Sequence, residues 1–227
     1  IANRGEIACR VMRTCRQLGI PTVAVYSQSD KDSLHVRLAD ESICVGKGSN
    51  SESYLSLANI LMAAEISGAD AVHPGYGYFS ERANFVVALS SVGVTFIGPT
   101  SAAIEAMGDK AAAKQAAIAA KCPVVPGSSG PVENENDAIK IAEKIGFPVL
   151  LKAVAGGGGR GIRRVDNAEE LTRAWKIAQS ESQASFGNGD LIVEKCVIEP
   201  RHVEIQIFGD QAGNVIHLGE RECSVQN

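Results

Sequence analysis

A lysine inside an apolar run, followed within a few residues by four consecutive glycines, is the part of this sequence best suited to chemistry. Leu150 to Arg164 reads LLKAVAGGGGRGIRR, with Lys152 in the apolar run and Gly156, Gly157, Gly158 and Gly159 after it. Glycine permits close backbone approach and positive φ, and successive backbone N–H groups in such a loop form an anion nest. An ammonium on the strand before the loop adds a compact positive charge, so the two together are fitted to the phosphates of a nucleotide. A glycine run is equally well the tip of a hairpin between two strands, and on these residues alone both readings stand. Lys152 weighs toward the first, because a bare charge beside Val149, Leu150 and Leu151 requires an anionic partner.

The elements that would position this loop come in two blocks. Over the first hundred residues strand and helix patterns alternate, as in an α/β unit with a parallel sheet. Ile1 reads as the tail of a first strand. A helix over residues 6–18 places Ile7, Val11, Thr14, Cys15 and Leu18 on one face and stops at Gly19. Strands are expected at 22–26, 42–45, 71–72 and 94–97, with helices at 54–67 and 81–91; Leu57, Ile60, Leu61 and Ala64 form the inner face of the former. The second block begins near Gly108 with an alanine-rich helix over 110–120, and a Pro/Gly/Ser linker over 123–131 then ends it. A compact α+β segment follows: a helix over 136–145, strands at 148–153 and 161–165 around the glycines, a helix over 168–180 and a strand at 191–194. With its glycine-hinged centre this segment suits a lid over a nucleotide. Residues 202–208 and 214–221 alternate as a hairpin around Gly209-Asp210.

Bulk properties narrow the function. The chain has 227 residues, 45% of them hydrophobic, enough for one large or two small cores. A formal net charge of −4 argues against nucleic-acid or membrane-surface binding. No apolar run is long enough to span a bilayer and no leader pattern is visible in these residues, so a cytoplasmic or organellar location is the expectation. Cys9, Cys15, Cys44, Cys122, Cys196 and Cys223 show no C-x-x-C spacing, so neither zinc nor a disulfide framework is indicated, and most read as small core residues.

Eleven short segments, in order, resemble those of biotin carboxylase, an ATP-grasp component of biotin-dependent carboxylases. They are IANRGEIA from Ile1, LADE from Leu38, HPGYG from His73, Ser80-Glu81, FIGP from Phe96, MGDK from Met107, Val125 to Gly127, Leu151 to Gly161, Glu194-Lys195, PRHVEIQ from Pro200 and GERECSVQ from Gly219. The resemblance implies an α/β fold: a Rossmann-like, pre-ATP-grasp N-terminal domain over 1–107, then an incomplete ATP-grasp domain over 108–227 carrying a lid at about 125–196. It implies that Lys110 and Lys152 bind ATP phosphates beneath Gly156 to Gly159. Glu194, Lys195 and Val197 would meet adenine, and His202 and Gln226 would lie near the sugar and phosphates. Tyr76 and Gly77 would face biotin, although HPGYG also suits a rigid strand-to-helix turn.

The activity this implies is ATP-dependent carboxylation of carrier-bound biotin by bicarbonate through carboxyphosphate. Its cofactors are ATP, Mg2+ or Mn2+, and biotin on a carrier domain; its partners are that carrier, a carboxyltransferase and a second copy of the chain. In the family the metal ligands and the bicarbonate-handling residues follow the ATP-site segments matched here, so this chain is expected to be the N-terminal part of a longer protein, inactive alone. Its compartment is the cytoplasm, or the mitochondrion or plastid of a eukaryote. Two alternatives stay open: another ATP-grasp ligase, and a non-catalytic nucleotide-binding fragment. The final acyl-CoA or keto-acid acceptor is not encoded in these residues.

Overall fold

The computed structural model describes residues 1–108, 110–155 and 161–224, with the side chains of Lys110, Ala111 and Phe186 outside the description. The chain divides into two compact units, Ile1–Ala116 and Ala117–Asn227.

The first unit is α/β with parallel strand pairs. Helix α1 (Gly5–Gln17) precedes β1 (Val23–Ser27), a short helix α2 (Leu34–Leu38) and β2 (Glu41–Gly46); α3 (Leu57–Ser67) leads to β3 (Ala71–Val72), and α4 (Ala83–Ser91) to β4 (Thr95–Phe96). β1 pairs in parallel with β2, and β3 with β4. Ile1 and Ala2 bond to both pairs, Ile1 N donating to Val23 O and Ala2 N to His73 O, as a strand tail between them would.

Alternation along β1 sends neighbouring side chains to opposite faces. Ala24 packs with Ala8 and Met12 of α1, while Val25 joins Ile60, Ala63 and Ala64 of α3 and Phe85 and Leu89 of α4. The face of α1 is rotated from the expected one: Ala8, Cys9 and Met12 are buried, Ile7, Val11, Thr14 and Cys15 are half-buried, and Leu18 is exposed. Small Ala8 against small Ala24 lets the backbones approach closely, which a count of large apolar residues does not reveal. The cysteine expectation also fails, since Cys9 alone is buried and Cys44 and Cys122 are exposed.

After α5 (Ser101–Gly108) and α6 (Lys110–Ala119), the second unit contains α7 (Glu135–Ile145), β5 (Val149–Ala153), β6 (Ile162–Val165), α8 (Ala168–Phe186) and β7 (Leu191–Lys195). β5 is the centre of an antiparallel sheet in the order β6-β5-β7. Val149, Leu151, Ala153, Val165, Leu171, Trp175, Leu191 and Val193 form its core with α7 and α8. Asn134 and Asn167 cap the two helices, accepting from Asp137 N and Glu170 N respectively. α8 runs six residues past the expected Ser180, because nothing in Glu181–Phe186 breaks a helix before Gly187 takes a left-handed conformation, φ +72°. Strands β8 (Val203–Gly209) and β9 (Val215–Glu222) form a separate antiparallel hairpin.

Candidate functional site

Lys152 and Glu194 meet on the face of the β5–β7 sheet turned away from α7 and α8. On β5 the buried residues alternate with Leu150 and Lys152, and on β7 with Ile192 and Glu194, so both charges leave the core on the same side. Lys152 is in register with Ile192, which makes Glu194 its diagonal neighbour, within reach of a long side chain. The Lys152 Nζ lies 2.5 Å from Glu194 Oε2, and the two side chains are 30% and 16% exposed. The anion that a lysine in this strand requires is therefore a carboxylate of the chain itself, so the apolar run alone does not point to a phosphate.

The glycine loop lies outside the described residues, but its flanks are clear. Ala153 N donates to Gly161 O, and β5 and β6 are adjacent antiparallel strands with Lys152 in register with Ile162, so Lys152 lies one residue before the end of the strand that leads toward the glycines. Segment 126–132 runs along the other edge of β7: Lys195 N donates to Pro126 O, Ser128 N to Val193 O, and Val132 N to Leu191 O. A Cβ at Gly127 would stand 2.4 Å from Val193 O and 3.0 Å from the Cγ of Glu194, so only glycine lets the segment pass beside that carboxylate.

The other residues expected on the nucleotide side occupy several settings. Lys195 points its ammonium at the carbonyls of Gly146 and Phe147, both at 2.8 Å, fastening the end of β7 to the turn before β5. Glu194 and Lys195 are thus not a charge pair with each other. Val197 follows β7 and is exposed. His202 opens the hairpin, its N–H bonded to Ser224 Oγ and its carbonyl to Cys223 N. Lys110 begins α6, with its side chain outside the description, and Gln226 lies beyond the described residues.

In the first unit, HPGYG is a tight turn after β3 with positive φ at Gly75 and Gly77, and the Tyr76 side chain is exposed. The residue that organises it, Asn3, belongs to the quoted N-terminal segment but was given no role by sequence. Next to it, Arg4 bonds Asp30 at 2.8 Å and lies 5.4 Å from the centre of the Tyr54 ring. Tyr54 donates to Asp30 at 2.6 Å; burial, and then this bond, push its phenol up to about 12. Tyr54 stacks on Tyr78, and Ser27 Oγ also donates to Asp30, 3.2 Å away. His35 is fully buried with Nε2 3.3 Å from Val25 O, and burial lowers its pKa.

An α/β unit with parallel strand pairs, followed along the chain by an antiparallel sheet whose outer face carries a lysine–carboxylate pair, is the architecture shared with proteins of the ATP-grasp class. Residues 1–104 match the family model "Biotin carboxylase, N-terminal domain", and residues 109–227 match "Carbamoyl-phosphate synthase L chain, ATP binding domain". The chain belongs to the biotin carboxylase family. It is 51% identical over 226 residues to Biotin carboxylase 1 of Bacillus subtilis, covering 100% of this chain and 50% of that protein. It is 54% identical over its whole length to the mitochondrial methylcrotonoyl-CoA carboxylase subunit alpha of Oryza sativa subsp. japonica, covering 31% of it.

Among solved structures, the biotin carboxylase–β,γ-ATP complex from Campylobacter jejuni superposes with TM-score 0.90 at 50% identity, covering 100% of this chain and 51% of that one. The biotin carboxylase domain dimer of 2-oxoglutarate carboxylase from Hydrogenobacter thermophilus, with MgADP, ADP and bicarbonate, gives 0.87 at 50% identity over 99% and 49% of the two chains. The chain spans about half the length of the curated biotin carboxylases it matches. Among the described residues, no helix is long and apolar enough to cross a membrane.

Proposed function

We propose that the chain supplies part of the nucleotide site, and a biotin-side loop, of a biotin carboxylase that carboxylates carrier-bound biotin with bicarbonate and ATP. In this reading residues 1–107 form a Rossmann-like pre-ATP-grasp domain and 108–227 part of an ATP-grasp domain, with a lid over about 125–196. Lys110, Lys152 and the backbone N–H groups of Gly156 to Gly159 neutralise the phosphates. Glu194 and the backbone of Lys195 and Val197 receive adenine, His202 and Gln226 lie toward the sugar and phosphates, and Tyr76 and Gly77 toward biotin.

A bicarbonate oxygen attacks the γ-phosphorus, the bond to the β-phosphate oxygen breaks and ADP leaves. Carboxyphosphate then splits into phosphate and carbon dioxide, which bonds to the ureido nitrogen of biotin as that nitrogen gives its proton to the released phosphate. The chain's part in this is alignment and charge neutralisation, which is most of what phosphoryl transfer asks of a protein. ATP carries a divalent ion, Mg2+ or Mn2+, that neutralises its phosphates. Among the described residues no three His, Cys, Asp or Glu side chains gather as an ion site, so no ligand to that ion is assigned here. The proposed partners are a biotin carboxyl carrier, a carboxyltransferase and a second copy of the chain. The proposed compartment is the cytoplasm, mitochondrion or plastid.

The observation that supports this reading most is the half-buried Lys152–Glu194 pair at the root of the glycine hairpin. Phosphate oxygens entering there give Lys152 a second anionic partner beside Glu194. In the full-length protein, release of ADP from ATP is expected to need bicarbonate and to be stimulated by free biotin. ADP release indifferent to both would refute the assignment.

A further inference from the structure

A single side chain fastens the HPGYG turn to the start of α1. Asn3, 4% exposed, donates from Nδ2 to the carbonyl oxygens of Pro74 and Tyr76, each at 2.8 Å. Its Oδ1 accepts from Arg4 N at 2.9 Å, which fixes the orientation of the amide. Both N–H groups of the carboxamide are thus spent on the backbone of one turn. Gly75, between the two carbonyls, has φ +66°, and a Cβ there would stand 2.7 Å from Asn3 Nδ2, so the carboxamide fills the inside of the turn. The turn is also tied at its root, where His73 O accepts from Ala2 N and His73 Nδ1 from Gly75 N. The Tyr76 ring is left exposed, its hydroxyl 3.3 Å from Glu6. The backbone is locked while the side chain is presented outward, which is the arrangement of a preorganised binding loop.

We infer that Asn3 is a positioning residue for biotin: it fixes the backbone of the turn, and so the place from which the exposed Tyr76 ring is presented to biotin. The inference rests on the proposed placement of Tyr76 and Gly77 on the biotin side. Asn3 touches no substrate and acts through the turn.

The test uses the full-length protein with free biotin as acceptor. Asn3→Asp keeps the size of the side chain and the acceptor for Arg4 N, but sets an oxygen against the Pro74 and Tyr76 carbonyls. The expected result is a loss of about 10-fold or more in kcat/KM for biotin, an error of alignment, with the KM for ATP essentially unchanged and faster amide exchange confined to residues 75–78. If the KM values for ATP and biotin move together, or neither moves, Asn3 is merely structural and the inference is overturned. Tyr76→Ala separates the two layers. A raised biotin KM in Tyr76→Ala but not in Asn3→Asp overturns the role of Asn3 and leaves the loop assignment standing; no change in Tyr76→Ala overturns both. Should Asn3→Asp not fold, Asn3→Ser, which admits a water in place of the amide, is read in the same way.

Discussion

In the unit Ile1–Ala116 the side chains withdrawn from water include Asn3, Thr22, Ser27, Asp30, His35 and Ser53, whereas in Ala117–Asn227 the described buried polar residues are Ser128 and Ser182. The first unit holds its loops with buried hydrogen bonds, each of which needs its partner. The second has an almost wholly apolar core and displays its charged pair on the opposite face of the sheet. A directional network suits a turn whose backbone must keep one shape. An apolar core under a sheet leaves the outer face free to exchange partners, as a nucleotide-binding surface must.

The contrast can be broken most forcefully in the apolar core. Leu151, fully buried, lies next to Lys152, and Leu151→Ala should cost about 2–5 kcal/mol of stability in denaturant unfolding, by lost transfer energy and the cavity left behind. Lys152→Ala should act on the other face, weakening ATP binding in the full-length protein by about 1.5–3 kcal/mol, the range for a charge-assisted hydrogen bond. Calorimetric titration with ATP measures this, and unchanged affinity would remove Lys152 from the phosphates. Asn167→Ala, which deletes the cap of α8, should cost about 1 kcal/mol of stability and leave ATP affinity alone.

The smallest effect sharpens the polar side of the comparison. Burial lowers the pKa of His35 in the folded state, so protons favour the unfolded chain. The stability it contributes is complete above its unfolded value of about 6.5 and is lost as the pH falls from there toward the lower folded value. Urea midpoints between pH 7 and 5 should therefore fall less steeply in His35→Gln than in the parent.

The element order was largely legible, because 3.6- and 2-residue periodicities and glycine stops are written locally. α3, α7 and the strands of the second unit follow them closely. α2 and α5 were not read, being short helices whose stability comes from neighbours and not from their own pattern. The rotated face of α1 was hidden for a related reason, since Ala8 is buried by what it lies against. At the site, the residue types at 152 and 194 were legible, but their pairing across strands depends on register, which no local pattern contains. Asn3 was illegible as a clamp because its partners are backbone atoms more than seventy residues away.

A biotin carboxylase must move carbon from bicarbonate into biotin, so labelled bicarbonate, free biotin and the full-length protein make the decisive experiment. Acid-labile carboxybiotin is expected only when ATP, bicarbonate and biotin are all present, with a sharp reduction in Lys152→Ala. Label that enters biotin without ATP, or ATP cleavage that leaves biotin unlabelled, would contradict the proposed function.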